Sequence, residues 1–436
     1  MQPAPRRPWT LTDRPGWRLL ALCGLYFAQG LPYGFMFITL SAVLADAEWT
    51  PGEIGSLLAM ATLPWAFKWA AGPVIDRFGM AAMGRRRPWI LLAEAGMVVS
   101  LILLALGPDP LHHDRWLAWA LLAMSACSAL QDVAVDALAV DLLREDERGR
   151  VNGFMYGSSY MGNALGGAGM GTVVAMFDLR IGFLVIAVVV SLVMLLPLFL
   201  RERKGERLLP WTAGEAVPGA PVPAKSMRIV LWRLGRAFSL RSTIALAVVA
   251  LLVSIPGGFL TGFSNVLIVE ELGWGSEKLA TWTGIATWAG LAGSILGGLL
   301  ADQIGPRRLI LLTGCGLSLS YLLFADAPGL WSSDVFIVGL MVFDALVSGA
   351  LFVSIFSLCM KVSWPLVAAT QFTAYMAMLN LSRTMGQWLT AQLEGAVSYQ
   401  GAYALAAAMQ LAPLAVLLII DSGQARRVLG GDAPSR

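Results

Sequence analysis

Three aspartates stand within ten residues of one apolar stretch: Asp132, Asp136 and Asp141, in LQDVAVDALAVDLLREDERG (Leu130–Gly149). Asp132 and Asp136 are four residues apart, so on a helix they share one face. A second apolar stretch carries Lys68 and a third carries Arg383. Paired acids near a lysine, away from water, are chemistry for binding and releasing a proton. An arginine in the same kind of surroundings can hold a carboxylate or phosphate in a bidentate fork. A charge at the centre of a bilayer costs about 2.5–3.5 kcal/mol or more, so such a group has either a partner or a task. Asp132 and Asp136 therefore read as a proton or ligand site, or as one half of a fixed ion pair.

The stretches that must position these groups are long and apolar. The chain has 436 residues, 57% hydrophobic and 14% charged, with a mean hydropathy of +0.69. Soluble domains carry about 25% charged residues. Runs of roughly 20 apolar residues suffice to cross a bilayer as helices, and these runs lack the alternation of barrel strands. The expected fold class is an all-α polytopic membrane protein. Twelve spans are predicted, at 18–44, 53–75, 88–107, 116–142, 150–175, 181–200, 241–268, 277–300, 309–325, 334–360, 365–392 and 399–420. They make an N-terminal six-helix bundle over 1–200 and a C-terminal one over 241–436. The linker over 201–240 has basic ends and a Pro/Gly/Ala-rich centre, and it finishes in a short surface helix.

Lys and Arg set the orientation. With both termini inside, the inner segments collect most of the 31 basic residues. The outer loops hold only Arg115, Arg180 and Lys278. The net charge of +3 is thus topological and needs no nucleic acid. The stretch after Arg18 merges into a full span, so no cleavable signal is expected. Cys23, Cys127, Cys315 and Cys359 all fall inside spans, which implies no disulfide framework. His112 and His113 share one outer loop, and no metal site or cofactor is expected. No GxSxG, Walker or HExxH motif is present, so no enzyme is expected.

The two halves repeat a signature. After the second span comes GPVIDRFG (Gly72–Gly79), and after the eighth GLLADQIG (Gly298–Gly305). Both read G-x-x-x-D-x-x-G and both lead to arginines, in GRRRPW (Gly84–Trp89) and PRR (Pro306–Arg308). Matching signatures at equivalent loops mark an internal duplication. Glycines permit close approach of the helices, and the arginines are expected to reach anionic headgroups. Gly72, Asp76, Arg77, Gly79, Asp302, Arg307 and Arg308 are the candidates for a cytosolic gate. Asp141, near the inner end of the fourth span, joins them by latching to Arg77, or else stays a solvated helix-end charge.

Lys68 lies eight residues before Asp76, where the second span leaves the membrane, and Asp136 lies at a similar depth on the fourth. Asp132, Asp136 and Lys68 are the proton-coupling candidates. Lys68 and Arg383 suit a cavity for an anionic solute, with Gln29, Tyr33, Trp65, Gln131, Asn265, Gln371 and Asn380 as candidate lining. Any one of these polar residues can equally be glue between helices. Trp65, Trp69, Tyr33, Trp282, Trp288 and Tyr375 offer rings for sugar faces, or for core and interfacial packing. Glu94 and Asp344 are further intramembrane acids with no assigned place.

The duplicated loop resembles the signature of the major facilitator superfamily. Within it, FAQGLP (Phe27–Pro32), FKWAAGPVIDR (Phe67–Arg77), GRRRPW, SALQDVAVDALAVDLL (Ser128–Leu143) with ERG (Glu147–Gly149), and TQF (Thr370–Phe372) followed by Arg383 resemble the AmpG family of muropeptide permeases. The fourth-span motif is also similar to that of acetyl-CoA transporters and AmpG-like siderophore importers. The resemblance implies two pseudo-symmetric six-helix bundles rocking about a central cavity. It implies proton-coupled import of an anionic solute: a muropeptide, or alternatively a siderophore or an acyl-CoA-like anion. The implied partners are that small anion, protons and membrane lipid, with a monomer in the bacterial inner membrane and both termini cytoplasmic. A membrane enzyme or a scramblase are the readings from other classes. The first lacks a sizeable soluble loop for catalysis, and the second needs no duplicated gating loops.

Overall fold

The structure, a computed structural model, describes residues 10–77, 81–143, 145–214, 227–364 and 367–430. Long helices dominate them. In chain order they are α1 (Pro15–Asp46), α2 (51–77), α3 (Arg87–Leu106), α4 (Asp114–Leu142), α5 (145–176) and α6 (Leu179–Phe199). After a linker helix, Met227–Phe238, come α7 (Arg241–Glu271), α8 (Ser276–Ile304), α9 (Pro306–Asp326), α10 (Asp334–Val362), α11 (Ala368–Leu393) and α12 (Tyr399–Leu417). Side-chain caps start several of them: Asp178 accepts the N–H of Ile181 at 2.7 Å before α6, and Ser398 that of Gly401 at 3.1 Å before α12.

Among the described residues, nine of these segments are long and apolar enough to cross a bilayer. The three that fall short, α2, α5 and α11, are irregular or polar. α2 contains Pro64 and then tightens into a 3-10 turn at Lys68–Ala70. α5 begins EDERGR and passes through a π turn at Leu165–Gly169. α11 places Gln371, Asn380, Arg383, Thr384 and Gln387 along its length. α1 carries a similar irregularity, Pro32 followed by a π turn at Phe35–Leu40. Proline withdraws an N–H from the ladder, and glycine-rich runs tolerate the displaced backbone.

The chain packs into two compact units, and the borders fall at these irregular turns. The first unit takes the chain up to Gly34, then Phe67–Gly166, then Met176 into the linker. Its core gathers Leu22, Leu25, Ile90, Val135 and Leu138. The second takes Phe35–Ala66, Gly167–Ala175 and the chain from the linker helix onward. Its core gathers Leu246, Phe259, Ile310, Leu317, Ile355 and Leu358. The ends of α1, α2 and α5 remote from the basic loops therefore pack with the second half of the sequence.

In the first unit, the start of the linker folds back on the loop between α2 and α3. The backbone N–H groups of Arg85, Arg86 and Arg87 all donate to the Glu202 carboxylate, at 3.1, 2.8 and 2.6 Å. Gly84 permits this with φ +94°, and a Cβ there would stand 2.7 Å from that carboxylate. The Arg87 guanidinium, 1% exposed, donates to the carbonyls of Pro197 and Leu198 at the end of α6 and to those of Met83, Arg207 and Leu208. Arg307 treats the other half alike: it donates to the carbonyls of Ile420, at 3.2 Å, and of Leu418, just past α12. The last carbonyls of a helix have no partner within it. Arg87 meets that need for α6; the last carbonyls of α12 are met by the N–H groups of Leu418, Ile419 and Ile420, and Arg307, from the other copy of the signature, holds the turn that follows. The headgroup contact expected of the loop arginines is thus not the role of Arg86 or Arg87, which are buried; Arg307 is half-buried and Arg308 exposed.

Burial pushes the Glu202 carboxyl up against the pull of its three N–H donors. It pushes Glu206, which accepts the N–H of Arg203 at 3.0 Å, up to about 7, with Glu202 adding to the rise and Arg203 and Arg87 opposing it. Arg87→Ala leaves five carbonyls, two of them in buried bonds and three in half-buried ones, short of a donor and is expected to lower stability by roughly 2–4 kcal/mol, read as a fall in thermal midpoint by tryptophan fluorescence in detergent. Glu206 binds its proton more tightly folded than unfolded. The stability it contributes is full below the ordinary glutamate range and is lost as pH rises through about 7. Glu206→Gln is therefore expected to raise the thermal midpoint at pH 8 and to converge with the parent by pH 5; a gap independent of pH would contradict the shift.

Candidate functional site

The first unit assembles most of the ionisable candidates. The tight turn at Lys68–Ala70 carries Lys68, whose Nζ donates to Asp132 Oδ2 at 2.6 Å. Asp132 is buried on α4. One helical turn on, Asp136 faces the same way but is exposed, and it accepts a hydrogen bond from the Tyr26 hydroxyl of α1. Tyr26 in turn meets Tyr156 of α5 edge to face at 5.6 Å. Similar depth had suggested Asp136 for the lysine, but the turn brings Lys68 one helical turn closer to Asp132. The two acids of one helix face are thereby differentiated: one is held by a cation, the other by a neutral hydroxyl.

Behind them runs a buried polar chain. Gln29 Nε2 donates to Gln131 Oε1 at 2.5 Å, and Gln131 Nε2 donates to Glu94 Oε1 at 2.6 Å and to the Leu25 carbonyl at 3.1 Å. Glu94, which had no place in the sequence reading, is thus the α3 end of a link between α1, α4 and α3. Tyr33 is half-buried one turn beyond Gln29. Arg86 Nε donates to Asp141 Oδ2 at 3.0 Å, so the cation seen on Asp141 comes from GRRRPW. Gly72 lies half-buried in α2. The side chains of Asp76, Arg77 and Asp302, and all of Gly79, lie outside the described residues, as does the Asp141–Arg77 latch.

The second unit holds the remaining candidates. Arg383 is half-buried on α11, with its guanidinium 4.4 Å from the centre of the Phe37 ring, a cation–π distance. Asn380 Nδ2 donates to the Trp65 carbonyl at 3.2 Å. Asn265 is half-buried on α7, and its buried amide nitrogen has no hydrogen-bond partner among the described residues. Gln371 is fully buried at the start of α11: its oxygen accepts the Trp364 N–H at 2.9 Å and its nitrogen donates to Tyr375 at 3.0 Å. Tyr375 has no exposed face, and a sugar cannot stack on it. Trp69 and Trp288 are exposed. Asp344 of α10 accepts from Ser320 of α9 at 2.5 Å.

The sequence reading missed Tyr26 and Tyr156. Tyr26 was findable: it precedes Gln29 by three and Tyr33 by seven, the spacing of one helix face. Tyr156 was not, because only packing brings α5 to α1.

An all-helical membrane protein with paired halves, duplicated loops and ionisable groups inside the spans defines a class of multi-pass solute transporter. The family description of the Major Facilitator Superfamily matches residues 22–387, and the chain belongs to that family. It is similar to the anhydromuropeptide permease of Escherichia coli, with 23% identity over 393 residues, covering 85% of this chain and 72% of that protein. It is also similar to a folate-biopterin transporter of Synechocystis, with 25% identity over 185 residues, 41% of this chain and 36% of that one. Among solved structures, the nucleoside transporter NupG matches with a TM-score of 0.72 and 12% identity over 92% of this chain and 99% of its own. A D-xylose-proton symporter matches with a TM-score of 0.72 and 13% identity over 93% and 97%.

Removing one partner of a buried ion pair strands the other. Lys68→Ala is expected to cost roughly 3 kcal/mol, and Lys68→Ala with Asp132→Asn to recover most of it. Thermal midpoints of the purified variants check this; a double variant no more stable than Lys68→Ala would place the partner of Lys68 elsewhere.

Proposed function

We propose that the protein is a proton-coupled importer of an anionic sugar–peptide of the muropeptide class. It works by alternating access, as a monomer in the bacterial inner membrane, with the basic loops and both termini on the cytoplasmic side. The observation that carries the reading is the unequal holding of Asp132 and Asp136 on one face of α4. Asp132 is neutralised by Lys68. Asp136, hydrogen-bonded by a neutral tyrosine hydroxyl, is the acid left to exchange a proton.

Accumulation against a gradient requires that proton and solute favour the same conformational change. A proton on Asp136 removes one of the two negative charges facing Lys68. That alters the balance holding α2 to α4 in the first unit. Arg383 supplies a planar cation for a carboxylate or phosphate of the solute. The solute class rests on the relative whose name is anhydromuropeptide permease, and an acidic sugar–peptide has the negative charge that such an arginine suits.

Uptake of an anhydro-muramyl peptide into inverted-gradient vesicles tests the reading. Asp136→Asn is expected to abolish accumulation driven by an imposed proton gradient while solute exchange persists. Accumulation that survives both Asp132→Asn and Asp136→Asn would move the proton route away from α4. Arg383→Gln is expected to weaken binding of the acid about tenfold or more, equivalent to about 1.4 kcal/mol, and to spare the neutral amide of the same solute. Equal losses for both would make the arginine structural.

A further inference from the structure

The ends of α2 and α11 remote from the basic loops meet closely within the second unit. A Cβ at Gly55 would stand 2.5 Å from the Gln387 carbonyl and 2.7 Å from Thr390. One at Gly262 of α7 would stand 2.5 Å from the Pro51 carbonyl. In the middle of this contact is a buried hydroxyl–amide cluster. Thr62 Oγ1 lies 2.8 Å from Gln387 Oε1 and 2.9 Å from Thr384 Oγ1. One turn nearer the basic side, Asn380 holds the Trp65 carbonyl, in the last turn of α2 before it breaks, where carbonyls run out of helical partners.

Each hydroxyl has a second acceptor on its own helix. Thr62 also reaches the Leu58 carbonyl at 2.8 Å, and Thr384 the Asn380 carbonyl at 3.1 Å. Both are the residue four back, the ordinary resting place of a threonine hydroxyl in a helix. A χ1-neutral rotation of the O–H bond therefore exchanges a bond across the contact for one within the helix. Parting the two helices strands neither threonine, which matters where an unpaired polar group is costly. The buried amide nitrogen of Gln387 has no acceptor among the described residues even when the helices are together, so the closed contact leaves one polar group unmet; parting it also releases Gln387 Oε1 and the Trp65 carbonyl from their donors.

We infer that Thr62, Thr384 and Gln387, with the Asn380–Trp65 contact, form a releasable latch that holds the outer ends of α2 and α11 closed. Its outer placement rests on the orientation proposed above; the latch itself does not. The contact between α5 and α8 in the same unit is made differently. Gly284 approaches the backbone of Ala168, and Gly171 approaches Ala280, so close glycine packing brings those two helices together, whereas hydroxyls and amides lie in the α2–α11 contact. Residues 380, 383, 384 and 387 follow helical spacing along one side of α11, so the latch also fixes the face that carries Arg383.

Amide hydrogen–deuterium exchange of the protein in nanodiscs, with no solute and no gradient, tests the latch independently of what is transported. Thr62→Val keeps the shape of the side chain and removes the hydroxyl. It is expected to raise exchange roughly 5- to 30-fold in peptides from 51–66 and 384–393, with Thr384→Val doing the same. Thr62→Ser, which keeps the hydroxyl, is expected to stay near the parent. Thr261→Val, whose hydroxyl bonds only the Gly257 carbonyl of its own helix at 2.8 Å, is the control and should change neither region. Parent-like exchange in both Thr62→Val and Thr384→Val would overturn the latch. So would a rise in Thr62→Ser equal to that in Thr62→Val, since packing of the methyl group would then be the cause.

Discussion

A charge inside a membrane must be answered locally, and the arrangement of the first unit follows from how Lys68 is answered. Its partner is Asp132 at 2.6 Å, and the contact requires that α2 bend out of a regular helix at Lys68–Ala70. Pro64 four residues earlier and Gly72–Pro73 just after make that bend tolerable. The ion pair takes one of the two acids on the α4 face. The other is left to Tyr26, so a pair of aspartates on one face is held in two different ways, and the proposed proton exchange rests on that inequality. The chain of Gln29, Gln131 and Glu94 behind them fixes the rotation of α4, without which neither acid would face the turn.

The basic ends of the helices solve a different problem. Carbonyls at a helix terminus need donors, and Arg87 supplies them at the end of α6. Arg307, from the other copy of the loop signature, donates to the carbonyls of Leu418 and Ile420 in the turn just past α12. The duplication is therefore preserved in a physical role as well as in spelling. In the first half the solution is extended by Glu202, whose carboxylate gathers three successive N–H groups. A carboxylate in that nest offsets the positive charges of GRRRPW and ties the loop to the linker.

The irregular turns of α1, α2 and α5 share a place with the borders between the two packing units. A π or 3-10 turn interrupts the regular ladder and lets one helix serve two packing environments. The helices that lack a long uninterrupted apolar run, α2, α5 and α11, are also those that contribute Lys68, Tyr156 and Arg383. Polar residues and helix breaks cost membrane stability, and here they fall where the ionisable groups must be presented.

The sequence by itself determined the membrane class, the twelve segments to within a few residues, the duplication and the family. These follow from hydropathy, run length and loop motifs, which are local and periodic. It also nominated the helices that carry the candidate residues, since ionisable residues in apolar runs are rare enough to stand out. Which acid meets Lys68 emerged only in the tertiary structure, because the 3-10 turn at Lys68–Ala70 interrupts the regular helix from which its depth and direction would be read. It alone turned Arg86 and Arg87 from headgroup anchors into buried donors, since a motif does not reveal where a carboxylate or an unpaired carbonyl from a helix some fifty or a hundred residues away will lie. It alone gave Glu94 and Gln371 their partners and drew Tyr26 and Tyr156 to Asp136. Pairwise contacts of this kind depend on helix rotation and crossing, and no single helix's sequence encodes the face its neighbour will present.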